Sequence, residues 1–399
     1  MTGRKSNKKV FALVLTMALI FTLLPTQLAY GAVKSSVKAP ILVDSFETGD
    51  ATGDDYVKIN TSGSSINVDY KSILPAVKYR VTLRGVGKGT TVATQRDVNA
   101  SGQFNTSLDV GYVPDGTYYL LIARAANSEQ AVGWTYIGGS KGYCFIGVPI
   151  KITSGTAKIV KYQDVINNNE KLKKAAVKRK APQKCMSKSL SDLSLVFRDP
   201  RTGKRSVGTS TTKMVKFFKK TSDEIVAGAP NDYEKMRKIY AYVSDNFYYD
   251  TIAFQEQRNQ YTNPYRNLYN LINNKTSPNS RKTSNGKANV ATTCVGYGAM
   301  VAALGRAQGI PCRVANGHAL TTPWNTWGTE KGIKKMDHWW AEAYVDGRWF
   351  MVDSTRGTNA KWDSNTGEWN ELVEGPLTYN YFDPSPQFLS NTHMYHTYY

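Results

Sequence analysis

The chain has 399 residues and a formal net charge of +20, with 51 Lys and Arg against 31 Asp and Glu. That length is ample for more than one apolar core. Four cysteines exclude a disulfide framework as the basis of the fold, and no nucleic-acid-binding signature accompanies the positive charge.

Arg4, Lys5, Lys8 and Lys9 precede an apolar run from Val10 to Leu24, and Ala29-Tyr30-Gly31 then offers small residues at the spacing of a cleavage site. Residues 1–31 are expected to be a secretory signal peptide. The competing reading, an uncleaved anchor, needs ~20 apolar residues, more than this run supplies. Removing four cations from +20 leaves +16 on the mature chain, with no stable membrane span. The expected location is extracellular or at the cell envelope, where anionic wall polymers or phospholipid head groups are more natural partners for that charge than nucleic acid.

Residues 32–161 read as an all-β, sandwich-like domain. Ser65–Tyr70, Lys78–Leu83, Thr117–Ile122 and Tyr143–Val148 are β-rich, and turns such as Pro114-Asp115-Gly116 separate them. Residues 162–225 follow as a basic linker or helical region; much of its charge lies in the run Lys171–Lys180. A solvated face is as good a reading of that run as an anion-binding patch.

The third unit, 226–399, carries the chemistry. Apolar residues after Cys294 recur at Tyr297, Met300, Val301 and Leu304, which is helical spacing, and Gly309-Ile310-Pro311 reads as the stop. Cys294 thus falls in or just before a first helical turn, where free N–H groups and the positive end of the helix dipole favour a thiolate. The bland alternative is a small buried apolar side chain. Downstream, His338–Val345 and Arg348–Thr355 flank Asp346-Gly347, the signature of a two-residue hairpin. In that register Val345 opposes Arg348, Tyr344 opposes Trp349 and, counting outward, His338 opposes Thr355. Asp353 then shares a face with His338 as its diagonal neighbour, within side-chain reach. Ala341, Ala343, Val345, Phe350 and Val352 take the opposite, core face. A nucleophile, a base and an orienting carboxylate are thereby available for acyl transfer at an amide.

The segments Cys294–Tyr297, Gly309–Arg313, His338–Glu342, Asp346–Trp349 and Val352–Thr355, with Asp232–Asp250 upstream, together resemble the transglutaminase-like superfamily. The resemblance implies an α+β fold with a papain-like core, N-terminal helices plus an antiparallel sheet, behind the all-β domain. It also implies catalytic roles for Cys294, His338 and Asp353, support from Trp340, Glu342 and Tyr297, no cofactor and no metal. Two departures from the family pattern, Thr292 two places before the cysteine and Ser354 after the aspartate, remove no catalytic group. An expanded polar stretch, Asn273–Gly286, hides the second oxyanion donor; Asn289 is a weak candidate beside the Cys294 N–H.

The remaining candidates have plainer readings. His318 lacks a carboxylate partner in the sequence and is expected to be structural. His393 and His396 read as part of a solvated tail, since no third metal ligand stands near them in the sequence. Asp337 reads as a loop charge. With Cys294 reserved for chemistry, Cys144, Cys185 and Cys312 permit one disulfide, and Cys144 with Cys185 is the first pairing to test. The expected substrate is a protein or cell-wall peptide, and the enzyme a protease, a deamidase or a cross-linking transglutaminase. The alternative is an inert wall-associated binding protein on the same scaffold.

Overall fold

The computed structural model describes residues 40–74, 76–85, 92–125, 143–179, 212–250, 263–275, 290–320, 327, 338–357, 361–363, 368–370, 377 and 379–398. The expected signal peptide, Cys185 and its pairing with Cys144, Asn289, Asp337, and most of the stretch Asn273–Gly286 lie outside these residues.

The N-terminal part is built of β1 (Ile41–Val43), β2 (Ser45–Gly49), β3 (Tyr56–Ser62), β4 (Ser65–Lys71), β5 (Lys78–Gly85), β6 (Val92–Val98), β7 (Gln103–Asp109), β8 (Gly116–Ala125), β9 (Tyr143–Thr153) and β10 (Thr156–Lys161). Period-two patterning explains them: in β3, Val57, Ile59 and Thr61 are buried while Lys58 and Asn60 face water. Two antiparallel sheets result, ordered β1-β10-β9-β8-β5-β6 and β2-β3-β4-β7. Their apolar residues share one core, with Ile59, Ile66 and Val68 of the smaller sheet packed with Val81, Leu120, Ile122 and Ile150 of the larger.

Beyond it come α1 (Gln163–Arg179), α2 (Thr212–Val226), α3 (Asp232–Asn246), β11 (Tyr248–Tyr249), α4 (Pro264–Ile272), β12 (Ala291–Thr292), α5 (Cys294–Ala307), β13 (Cys312–Ala319), β14 (His338–Val345), β15 (Arg348–Val352) and α6 (Ser354–Gly357). A short ladder of β16 (Lys361–Asp363) and β17 (Glu368–Asn370), then α7 (Pro386–Ser390) and β18 (His393–Tyr398), complete the described chain. The central sheet has the order β15-β14-β13-β18. One face carries α2, α3 and α5 over Ala341, Ala343, Val345, Phe350 and Val352, the set expected to face the core. The other face, with Ala315, Trp340, Met351 and Tyr395, is covered by Leu389 of α7 and Leu172 of α1.

One element of this architecture lies where the sequence left linker or helix open, and another runs against its expectation. The stretch read as a basic linker or helical region contributes α1, whose Asn168 and Asn169 donate to the backbone carbonyls of Tyr395 and His393 at 3.1 and 3.0 Å. The C-terminal residues read as a solvated tail form β18, paired to β13 through Ala315↔Tyr398 and His318↔Met394, so His393 is fully buried. Asn168 and Asn169 of this lysine-rich helix thereby satisfy backbone carbonyls of the polar strand, whose residues His393 to Tyr395 are buried.

The sheet interior also holds charge. Arg313 Nε donates to Glu342 Oε2 at 2.8 Å and its Nη2 forms an ion pair with the same oxygen at 2.6 Å; Tyr395 Oη donates to Oε1 at 2.6 Å, and the guanidinium lies 3.9 Å from the Trp349 ring centre. Both charged side chains are essentially inaccessible, 1% and 0% exposed, so removal of one strands the other in a low-dielectric interior. Glu342→Gln is expected to cost about 3–5 kcal/mol of stability. Urea unfolding monitored by tryptophan fluorescence measures that loss.

The two parts are joined by ion pairs. Arg237 of α3 contacts Asp55 at 2.7 Å and Asp50 at 3.1 Å, both in the β2–β3 connection, and its guanidinium lies 4.6 Å from the Tyr379 ring centre. Tyr233 accepts from the Ala51 N–H and donates to Asp383, while Phe388 of α7 enters the β-domain core beside Phe46.

Candidate active site

Thr293 caps α5 in an extended conformation, which makes Cys294 the first helical residue. Its N–H is among those with no carbonyl acceptor within the helix. The helix is apolar on every side and buried from Gly296 through Ala307, so it is a central rather than a surface helix. Its end is as the sequence implied: Gly309 adopts φ +79° and Pro311 blocks continuation. Gly298 sets how closely α5 lies on β14, because a Cβ there would stand 3.2 Å from the Trp340 carbonyl carbon.

The hairpin register holds where it was counted, with Val345↔Arg348, Tyr344↔Trp349 and Ala341↔Val352, and Asp346 and Gly347 both take positive φ, 50° and 80°. It stops short of the expected pairing of His338 with Thr355. At Asp353 the chain leaves the ladder: its N–H donates to Tyr381 O at 3.0 Å and its Oδ1 accepts the Thr355 N–H at 3.1 Å, which caps α6. Asp353 still reaches His338, with Nε2 2.7 Å from Oδ2. The strand diagonal is thus replaced by a helix cap that aims the same carboxylate.

The other imidazole edge is left for the thiol. Burial alone would push the His338 pKa down, but the Asp353 charge and hydrogen bond, then the interaction with the Cys294 side chain, raise it to about 9. Burial works the other way on Asp353, and the two neighbouring imidazoles outweigh it, holding the carboxyl well below the usual carboxylate range. Tyr249 is brought to Cys294 by the parallel bridge Tyr249↔Thr292. Burial first, then its hydrogen bond with Cys294, push the phenol well above its ordinary value, so it remains a donor.

These shifts set a pH window for stability. His338 is raised from 6.5 to about 9, so its contribution is complete below 6.5 and is lost as pH rises through about 9. Asp353 is depressed from 3.8, so its contribution is present above that value and fades as pH falls below it. The urea midpoint is expected to decline between pH 6.5 and 9, and that slope should flatten in His338→Gln, which has no imidazole to deprotonate.

Among the supporting residues, Trp340 and Glu342 are fully buried on the His338 face; the Trp340 and His338 ring centres are 5.7 Å apart. Tyr297 donates to Phe247 O at 2.6 Å, bracing α5 against the end of α3. His318 is buried with its ring 5.8 Å from that of Trp327. Two residues at the site had no sequence assignment to it. Tyr249 lay at the end of the Asp232–Asp250 segment with no role at the thiol assigned to it. His393 is the larger departure: its Nε2 is 3.2 Å from Asp353 Oδ2, and its Nδ1 is 2.8 Å from Thr392 Oγ1. His338, Asp353 and His393 each place a possible ligand atom within 4.8 Å of the others, a set a small cation could use. Hydrogen bonds already account for that spacing.

A cysteine at the buried start of a central helix, facing a histidine on an adjoining antiparallel sheet and, just past that sheet's last strand, an aspartate, resembles the arrangement of papain-like thiol enzymes. Residues 219–354 match the sequence model of the Transglutaminase-like superfamily, and this part of the chain is a transglutaminase-like domain. Two curated relatives, both called kyphoscoliosis peptidase, are 28% identical over 140 residues in Homo sapiens and 27% over 135 in Mus musculus. Each alignment takes 34% of this chain but only 18% and 17% of the relative, so the chain spans less than a fifth of their length. Among solved structures, a cysteine-protease candidate from Cytophaga hutchinsonii is 14% identical, covers 86% of both chains and has a TM-score of 0.25. A protease candidate from Parabacteroides distasonis is 10% identical, covers 75% of this chain and 63% of its own, and has a TM-score of 0.24.

Proposed function

We propose that the protein is an exported cysteine-dependent enzyme that acts on amide bonds through a thioester, with a protein or cell-wall peptide as substrate. The observation that carries this reading is the run of contacts from Cys294 through His338 to Asp353, at a helix start. His338 takes the thiol proton and the thiolate attacks the amide carbonyl. In this reading the Cys294 N–H, with the Tyr249 phenol beside Cys294, donates to the developing oxyanion. His338 then returns the proton to the departing amine, which leaves an acyl-thioester on Cys294. Water or a second amine, deprotonated by the same imidazole, attacks that thioester and restores the thiol. Water yields a carboxylic acid, as in a protease or deamidase; an amine yields a new amide, as in a transglutaminase. The name of the two curated relatives makes hydrolysis the first branch to test.

Export rests on the basic and apolar pattern of residues 1–31, and envelope association on the +16 charge of the remainder. No helix among the described residues is long and apolar enough to cross a membrane. The test is to incubate the mature protein with a glutamine-rich protein, or with cell-wall peptides, plus a labelled primary amine, and to read the products by mass spectrometry. New termini, deamidation or amine adducts select the branch. Absence of all three, with Cys294 alkylated no faster than a free thiol, would leave the inert binding scaffold in its place.

A further inference from the structure

The Asp353 carboxylate serves two imidazoles through one oxygen. Oδ2 lies 2.7 Å from His338 Nε2 and 3.2 Å from His393 Nε2, while Oδ1 accepts from the Thr355 N–H. An ionised carboxylate only accepts, so the His393 nitrogen facing it carries the proton. Its Nδ1 is then the acceptor for the Thr392 hydroxyl. Both ring nitrogens are used, and the ring is completely buried. Its backbone is fixed as well, because Asn169 of α1 donates to His393 O and accepts from the Tyr395 N–H at 2.9 Å. The ring is walled by Trp340, 5.1 Å away edge-on, and by Tyr381 at 5.7 Å.

A core position needing only volume is filled most cheaply by an aliphatic or aromatic side chain, since a buried imidazole is costly unless both nitrogens are bonded. Here the two bonds end on the carboxylate that orients the base. We infer that His393 is a positioning residue for the reaction at Cys294: its Nε2–H locks the Asp353 carboxylate in the rotamer that aims His338 at the thiol. This rests on the thioester reading given above. The groups facing His393 are Asp353 and His338, with the Arg356 cation adding a weaker repulsion. Burial, outweighing the pull of Asp353, lowers its pKa to about 4, so His393 stays a neutral donor while His338 carries the positive charge. One carboxylate therefore faces one cation and one dipole.

The test needs no substrate. Full-length mature wild type, His393→Leu, His393→Gln and Thr392→Val are alkylated with iodoacetamide from pH 5 to 10, and the Cys294 peptide is followed by mass spectrometry. Wild type is expected to alkylate at pH 6 well ahead of a free thiol. His393→Leu should lose about tenfold of that rate, with the half-maximal pH moved up. His393→Gln, which can still donate to Asp353, should recover most of the loss, and Thr392→Val should fall between. If His393→Leu lowers the thermal midpoint but its alkylation profile overlays that of wild type, His393 is only structural and the inference is overturned. A His393→Leu protein that fails to fold leaves Gln and Val to decide the matter: a Val profile identical to wild type also overturns it. A wild-type profile like that of a free thiol sinks the thioester reading itself, an outcome distinct from failure of His393 alone.

Discussion

Asp353→Asn is expected to lower kcat by about 10⁴ on the best substrate found for wild type, with the circular dichroism spectrum unchanged. The magnitude is that of the equivalent change in serine proteases; the reason lies in three donors around one carboxylate. His338 and His393 both address Oδ2, and the Thr355 N–H addresses Oδ1. An asparagine has one oxygen and one NH₂. With the NH₂ at the Oδ1 position, it confronts the Thr355 N–H donor to donor and disturbs the cap of α6. With the NH₂ at the Oδ2 position, it confronts both imidazoles, and His338 can answer only by moving its proton to the nitrogen that faces Cys294. A protonated, neutral imidazole edge cannot accept the thiol proton, so the thiolate is no longer formed by its neighbour. Cys294→Ala should be more complete still, removing acyl-enzyme formation on any amide. The check is single-turnover kinetics with mass-spectrometric detection of the thioester. A loss of less than tenfold in Asp353→Asn would mean that His338 is oriented by something other than this carboxylate.

The parts of this site that were legible in the sequence are those set by short-range rules. Asp346-Gly347 fixed a register because a two-residue turn with positive φ at both positions suits few residue pairs. The Cys294 helix announced its end through Gly309 and Pro311. The strands of the N-terminal domain showed their period of two. What stayed hidden depends on contacts between distant segments. His393 lies 40 residues beyond Asp353 and in a polar stretch, where nothing local says that β13 and α1 will bury it. Its one cue is the alternation of His393 and Tyr395 with Met394, a strand pattern with unusual side chains. Tyr249 needed the parallel bridge to β12, across a long insertion, before it could be placed beside the thiol. The bend at Asp353 was missed because strand counting carries no information about where a ladder ends.

The same long-range logic links the N-terminal domain to the candidate site, and Arg237→Met should expose the link. Arg237 is 7% exposed and Asp50 2%, with Asp55 at 17%, so the substitution leaves two buried carboxylates without their cation, at a cost of about 3–5 kcal/mol. The damage should not stay local. Tyr379, under the Arg237 guanidinium, begins the segment in which Tyr381 O accepts the Asp353 N–H, Asp383 N–H donates to Met351 O, and Ser385 N–H donates to Thr48 Oγ1. Arg348 of the β14–β15 hairpin holds Asp383 from the other side, at 2.6 Å through Nη1. One stretch of chain thus touches the β-domain at Thr48 and the backbone of Asp353. Arg237→Met is therefore expected to reduce turnover as well as the urea midpoint. Acid should relieve the defect in part: burial already raises the Asp55 pKa against the pull of Ser72 and Arg237, and loss of the cation raises it further. Protonation as pH falls then removes the stranded charge, so the gap between variant and wild type should narrow towards pH 5 and widen at pH 8. Adding Asp55→Asn to the variant should recover part of the loss at pH 8. An Arg237→Met protein with the wild-type midpoint and turnover would show that the β-domain is a separable appendage, and the shared segment no more than a tether.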